Sequence, residues 1–240
     1  MCTVSYLPLT KTEYILSSNR DETPLRSDTP FVEESVKMGR IYFPKDAKGG
    51  SWLFGSDFGW TICILNGAFI KHKHQPPYKL SRGLMGKAIF NYPSFTAFLA
   101  HFKFRGIEPF TCIMINDEKL LEFRWDGQEK FIRTLDRNEP HIWSSSTLYP
   151  HEMQLKRKGW FQEWLSNNPV FNVENIHSLH RTGGEGDIKN DYVMNRNNIV
   201  CTTSISHLVK HKKQTLMLHY NLQNEEKQEN SFRNKVAELT

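Results

Sequence analysis

Apolar residues recur along this chain with two different periods, and the period switches back and forth between them. Residues 3–7 mix β-branched and aromatic side chains and stop at Pro8, which predicts a strand. Residues 13–18 predict a second strand, joined to the first by a turn near Thr10–Thr12. Residues 23–50 are rich in Pro, Gly, Asp and Lys and offer only short strand candidates. A hairpin is predicted from 51–55 and 59–65, turning at Ser56-Asp57-Phe58. Its second arm is apolar on both faces, as in a strand covered on both sides, and ends at the turn pair Asn66-Gly67. From Ser81 the period becomes helical. Leu84, Met85, Ala88 and Ile89 form one stripe, and Phe95, Phe98, Leu99 and Phe102 form another behind Pro93, with Ser94 placed as an N-cap.

Strands then return at 110–115, 119–125 and 129–134, punctuated by Asn116-Asp117 and Asp126-Gly127, with a short one at 141–145. A long helix is predicted over 151–165 and a short one over 173–180, followed by a glycine-containing loop at 181–198. Residues 198–208 and 214–221 predict a last hairpin. Strands come in runs and helices come in runs, so the expected class is α+β, with antiparallel sheets and helices packed outside them. The 240 residues carry no internal repeat and no evident linker. One domain over 1–222 is expected, with a polar tail over 223–240 that is either a solvated helix or disordered.

Composition narrows the setting. The net charge of +5 is mild and spread along the chain, so it gives no reason to expect nucleic acid. Cys2, Cys63, Cys112 and Cys201 are far apart and form no C-x-x-C pair, which argues against a zinc site or a disulfide framework. Buried reduced thiols imply a reducing compartment. No basic-then-apolar leader and no run of membrane-spanning length is evident, so a cytoplasmic protein is expected.

The chemistry starts at Met1-Cys2-Thr3-Val4. A residue as small as cysteine at position 2 permits removal of the initiator methionine. The chain would then open with a thiol and a free α-amine on one residue, a nucleophile with its own base. The ordinary alternative is a small residue opening a buried strand. The predicted hairpin brings Cys2 close to the end of the second strand, where Ser18-Asn19-Arg20-Asp21-Glu22 packs three charges and an amide together. The ordinary fate of such a run is a solvated turn. On a strand, however, Asn19 and Asp21 share one face and Arg20 and Glu22 the other. A carboxylate beside the amine would orient it, and an arginine would bind a substrate carboxylate or steady the thiolate.

Met-Cys-Thr-Val followed by Ser-Asn-Arg-Asp-Glu resembles the NRDE family, also called the transport and Golgi organisation 2 family. The resemblance runs from residue 1 to about 220. Its further landmarks are Gly49-Gly50-Ser51-Trp52, Leu65-Asn66-Gly67-Ala68-Phe69 and Ser81-Arg82-Gly83. That family is in turn similar to the N-terminal nucleophile hydrolases, in the branch of cholylglycine hydrolase and penicillin V acylase. The resemblance implies a four-layer α-β-β-α sandwich. It assigns Cys2 as nucleophile, Asp21 as the aspartate that orients its amine, and Asn66 as an oxyanion-hole amide, with Asn19 and Arg20 shaping a substrate site. Two supports of those hydrolases are replaced: Ser144-Ser145-Ser146 stands where a second asparagine is expected, and Cys201-Thr202-Thr203-Ser204 where a late arginine is expected.

Two functions stay open at this point. The first is hydrolysis of a linear amide or thioester through an acyl-enzyme on Cys2. The second is non-catalytic binding or trafficking of a lipid, an acyl-CoA or haem on the same fold. No metal and no obligatory cofactor is expected. His72 and His74 alternate as strand ligands would, but their flanking lysines and the lack of a nearby acid in sequence read as a solvated basic loop. Lys210-His211-Lys212-Lys213 reads as a basic hairpin turn, and 182–186 as a flexible loop lacking the residues of a phosphate loop. His177 and His180 share a helix face and are expected to flank the core.

Overall fold

The computed structural model describes residues 3–26 and 28–235. The chain begins with β1 (Thr3–Pro8) and β2 (Tyr14–Glu22), then β3 (Asp28–Val36), β4 (Gly39–Asp46), β5 (Leu53–Ser56) and β6 (Thr61–Asn66). Helix α1 (Arg82–Ala88) runs into a 3-10 turn (Ile89–Asn91) and is followed by α2 (Phe95–His101). Next come β7 (Phe110–Ile115), β8 (Leu120–Trp125), β9 (Lys130–Leu135) and β10 (His141–Ser144). Helices α3 (His151–Asn167) and α4 (Val173–Thr182) precede β11 (Asn195–Arg196), β12 (Val200–Lys210), β13 (Gln214–Asn221) and β14 (Lys227–Arg233).

The strands form two sheets. One has the order β10-β1-β2-β12-β13-β14, with β11 beside β12; the other runs β3-β4-β5-β6-β7-β8-β9. Every strand pair is antiparallel.

Three apolar clusters separate four layers. Between the sheets lie Val4, Tyr6, Leu16, Leu53, Cys63, Leu65, Ile113 and Met217. On the outer face of the second sheet, Phe54, Ile62, Ile64, Met114 and Phe123 pack against Met85, Ile89, Phe95 and Phe98 of the first helical layer. On the outer face of the first sheet, Leu7, Ile15 and Val209 pack against Phe161 of α3 and Ile176 and Leu179 of α4. This is the α-β-β-α sandwich. Strand β6 shows why its sequence is apolar on both faces: Ile62 and Ile64 serve the helices while Cys63 and Leu65 serve the inter-sheet core. Ser94 caps α2 by accepting from Ala97 N, as its position predicted, and Ser81 and Asn172 do the same for α1 and α4.

Two expectations are corrected. Residues 23–50 are not mostly loop, because β3 and β4 form a hairpin of nine- and eight-residue strands. Strand β3 is the edge of its sheet, so it holds its place by backbone pairing to β4 without an apolar run. The tail is neither helix nor disordered through 227–233. It is edge strand β14, paired with β13 and anchored by Phe232, whose ring stacks on Tyr42 at 3.9 Å. A single apolar residue in Lys227–Arg233 gave no periodic signal to read.

The interface of α4 with the first sheet is polar at its centre. His180 and His207 are fully buried. His180 Nδ1 donates to Asn19 Oδ1, and its Nε2 accepts from Ser5 Oγ at 2.7 Å. His207 pairs with Ser17 Oγ at 2.8 Å and with His177 at 3.0 Å. Burial depresses His180 to about 3 and pushes His207 well below its usual value, so both stay neutral in the folded protein. Unfolding restores values near 6.5. Because the folded pKa is the lower one, this stability is complete above pH 6.5 and is lost as pH falls toward 3. Moving from pH 7 to pH 5 should remove about 2 kcal/mol for His180 alone, with His207 adding in the same direction. Urea unfolding at the two pH values measures this, and an unchanged midpoint would contradict the neutral assignment.

Candidate active site at the cleft between the sheets

Strand β2 places Ser18-Asn19-Arg20-Asp21-Glu22 at one end of the sandwich. It is longer than its sequence predicted, because pairing with β12 carries it through Glu22. Period two then sends its residues to two different layers. Leu16 and Arg20 turn toward the opposite sheet, while Ile15, Ser17, Asn19 and Asp21 turn toward the helices.

Cys2, the expected nucleophile, lies outside the described residues. Its neighbour Thr3 is fully buried, opposite Asn19 on β2 and Ser144 on β10, and its hydroxyl accepts from the guanidinium of Arg157. Asp21 is nearly buried. Its Oδ1 accepts from Thr202 Oγ1 at 2.6 Å and its Oδ2 from Tyr149 Oη at 3.1 Å. Thr202 is one of the residues standing where a late arginine was expected. A break in the β2–β12 register between Thr202 and Ser204 seats it opposite Asp21.

Arg20 enters the space between the sheets. Its Nη2 donates to Asp46 Oδ2 at 2.7 Å, its Nη1 donates to Thr203 Oγ1 at 3.0 Å, and its guanidinium lies 4.8 Å from the centre of the Trp52 ring. Arg26 donates to the same Asp46 carboxylate and reaches Glu22 at 2.6 Å. Burial pushes the Asp46 carboxyl up, but Arg26, the Lys48 N–H and Arg20 together outweigh it and hold it below its ordinary value.

Asn66 closes β6 and lines the same cleft as Arg20. Its backbone oxygen accepts from Ser145 Oγ at 2.7 Å, while its carboxamide makes no hydrogen bond among the described residues. Gly67 turns the chain at a φ of +79°, and a Cβ there would lie 2.4 Å from Ser146 Oγ. The serines standing where a second asparagine was expected therefore buttress the Asn66 turn. Asn19 does not reach the cleft. Its Nδ2 donates to the carbonyls of His180 and Tyr192, and its Oδ1 accepts from His180, so its capacity is spent holding α4.

The cleft has a volume of about 500 Å³. Beyond Arg20 and Asn66 it is lined by Glu22, Arg26, Asp46, Lys48, Arg82 and Glu108, with Trp52, Ile64, Tyr78 and Leu80. The glycine motifs explain its wall. Gly50 and Gly83 touch backbone to backbone, since a Cβ on Gly83 would sit 2.8 Å from Ser51 O. The loop after β4 and the start of α1 therefore meet at the cleft.

The 71–74 segment is not a free basic loop. Glu108 Oε1 takes His72 Nε2 at 3.0 Å and His74 Nδ1 at 3.2 Å, and its Oε2 takes Arg82 at 3.1 Å. Sequence reasoning missed this acid because it lies more than thirty positions away. No cluster of His, Cys, Asp and Glu suited to a metal ion occurs among the described residues. Burial raises the Cys63 thiol to about 12 and pushes Cys112 well above its usual value. Burial and the Asp21 carboxylate raise Cys201 as well. These three thiols are therefore held protonated at neutral pH.

Asp46 is the counter-charge of a buried arginine, so Asp46→Asn should cost about 3–5 kcal/mol of stability. Breaking the exposed Arg40–Glu33 pair with Arg40→Gln should cost no more than about 1 kcal/mol. Denaturant titration of both variants checks the contrast.

Compared with protein-family models and with curated proteins, the chain matches none. Solved structures do match it. Two variants of conjugated bile acid hydrolase from Clostridium perfringens superpose with TM-scores of 0.57 and 0.56 at 9% and 8% identity. The first covers 98% of this chain and 97% of the hydrolase, and the second covers all of both. Penicillin V acylase from Agrobacterium tumefaciens gives a TM-score of 0.55 at 11% identity, over 100% of this chain and 87% of the acylase. The fold of this chain is that of the N-terminal nucleophile hydrolases.

Proposed function

We propose that this protein is an N-terminal-cysteine hydrolase that cleaves a linear amide or thioester. The observation that carries this reading is the Asp21 carboxylate, fixed by Thr202 and Tyr149 at the end of β2, one strand from the start of β1. Covalent geometry keeps the Cα of residue 2 within about 3.8 Å of that of Thr3, so the amine and thiol of a processed Cys2 belong to this end of the sandwich. Val4 and Tyr6 of the same strand turn into the inter-sheet layer.

In this reading the α-amine takes the thiol proton, and the thiolate attacks the substrate carbonyl. The carbonyl oxygen gains negative charge and accepts from the free Asn66 carboxamide. The ammonium returns its proton to the leaving amine or thiol as the tetrahedral intermediate collapses to a thioester on Cys2. Water, deprotonated by the same amine, then releases the acid and restores the thiol. Asp21 holds the amine, and Arg20 shapes the floor of the cleft.

The charged lining speaks against a lipid or haem cargo, which calls for an apolar cavity. The shared fold with bile acid hydrolase and penicillin V acylase supports amide cleavage.

Intact mass should show Met1 removed. Iodoacetamide at neutral pH should label Cys2 and leave Cys63, Cys112 and Cys201 unmodified in the folded protein. Cys2→Ala should abolish turnover in a screen of amides and thioesters. Asn66→Ala should lower kcat by about 100- to 1,000-fold, the cost of one oxyanion donor. A retained Met1, or full turnover by Cys2→Ala, would sink the reading.

A further inference from the structure

The lining of the cleft contains four permanent cations, Arg20, Arg26, Lys48 and Arg82, and three carboxylates, Glu22, Asp46 and Glu108. The pairing among them is explicit. Arg20 and Arg26 share Asp46, Arg26 also takes Glu22, and Arg82 takes Glu108. Lys48 is left over: among the described residues its ammonium has no ion pair and no hydrogen bond, and its backbone N–H is already committed to Asp46 Oδ1 at 2.8 Å. The loop that carries Lys48 is fixed at both ends, since Asp46 N donates to Gly50 O and Gly49 N donates to Asp46 O. Trp52, whose ring lies under Arg20, carries an indole Nε1–H that is buried and has no acceptor. Among its described residues the cleft thus presents one surplus positive charge and no unpaired carboxylate.

An apolar ligand filling this space would strip water from the five ionisable side chains other than the already buried Arg20 and Asp46, and return nothing to the surplus charge. A carboxylate would complete the pairing. A phosphate dianion would overshoot it by one charge.

We infer that the substrate of this site carries a free carboxylate, recognised by Lys48, so that the protein acts on acyl groups of the dicarboxylic-acid type. Such a substrate offers one carboxyl end to Lys48 and the other, as an amide or thioester, to the nucleophile. At about 500 Å³ the cleft lies within the range of about 300–1,000 Å³ usual for small-molecule sites. Lys48 is then a specificity residue rather than a catalytic one. This inference rests on the hydrolase reading for its chemistry, but the anion site is testable without it.

The binding arm uses glutarate and its neutral counterpart glutaramide, titrated calorimetrically against the intact protein. Glutarate should bind at least tenfold tighter, and its affinity should fall at least tenfold in Lys48→Glu and on raising salt from 50 to 500 mM. Lys48 is exposed, so the variant should fold, and an unchanged unfolding midpoint verifies this. Equal affinity for the two compounds, no glutarate binding, or an unchanged affinity in Lys48→Glu overturns the inference. The turnover arm compares a glutaryl anilide with a valeryl anilide. A glutaryl preference of at least tenfold in kcat/KM, carried by KM and falling toward one in Lys48→Gln, is the expected result. Equal turnover of the two overturns the inference and leaves the hydrolase reading standing. Glutarate binding with no turnover and no acylation of Cys2 does the reverse: the anion site stands and the hydrolase reading falls.

Discussion

One buried ion pair sets the terms for the functional end of this molecule. Arg20 leaves the first sheet, crosses the inter-sheet space and meets Asp46 of the second at 2.7 Å, with both side chains almost wholly hidden. Charges so placed are tolerated only when each is answered, because the cost of leaving one unpaired is several kcal/mol. The apolar core between the sheets is generic in its geometry and would accept small slides of one sheet over the other. The Arg20–Asp46 contact, with Thr203 behind the arginine and Trp52 below it, accepts none. It fixes the width of the sandwich where the cleft opens, and hence the spacing between the end of β2 and the end of β6.

The same five-residue run serves two layers at once. Arg20 faces the cleft, while Asn19 and Asp21 on either side face the helices. Asn19 is clamped by α4 through His180, which must be neutral and carry its proton on Nδ1 to donate to Asn19 Oδ1, because Asn19 Nδ2 is spent on two carbonyls. Asp21 is clamped by Tyr149 of the segment before α3, and the Tyr149 ring in turn lies 4.0 Å below the Arg157 guanidinium. Arg157 also binds Thr3 and the carbonyls of Asn190 and Asp191. The helical layer therefore does more than cover the sheet. It holds in place the ends of β1 and β2, through a set of buried polar contacts that are all answered.

Those facts decide what was legible in the sequence. Strands such as β6 and β7 announced themselves because both their faces are buried, and helices α1 and α2 because their apolar residues repeat at helical spacing, with Ser94 capping the second. Strands β3 and β14 did not, since an edge strand is held by backbone pairing that any sequence supplies. The pairing of β1 with β2 was readable from a short turn, and it brought Thr3 to Asn19 as the hairpin required. Alternation correctly separated Arg20 from Asn19 and Asp21, but it did not say which face looked onto the cleft. Asn19 was therefore given to a substrate when it belongs to α4. Asp46, Arg26 and Glu108 carried no signal at all, and Arg82 stood out only within the Ser81-Arg82-Gly83 landmark. Their meaning lies in contacts made across the sheets and between loops, and each in isolation reads as an ordinary surface charge.

The substituted late positions look different once the contacts are known. Thr202 and Thr203 replace a single expected arginine, yet each has a definite task, one on Asp21 and one on Arg20. Ser145 and Ser146 hold the turn at Asn66 and Gly67 instead of adding a second amide. The fold is shared with a bile acid hydrolase and a penicillin V acylase, while the cleft of this chain is lined by paired charges. The layers fix where the cleft opens, and the ion pairs at its rim fix its charge.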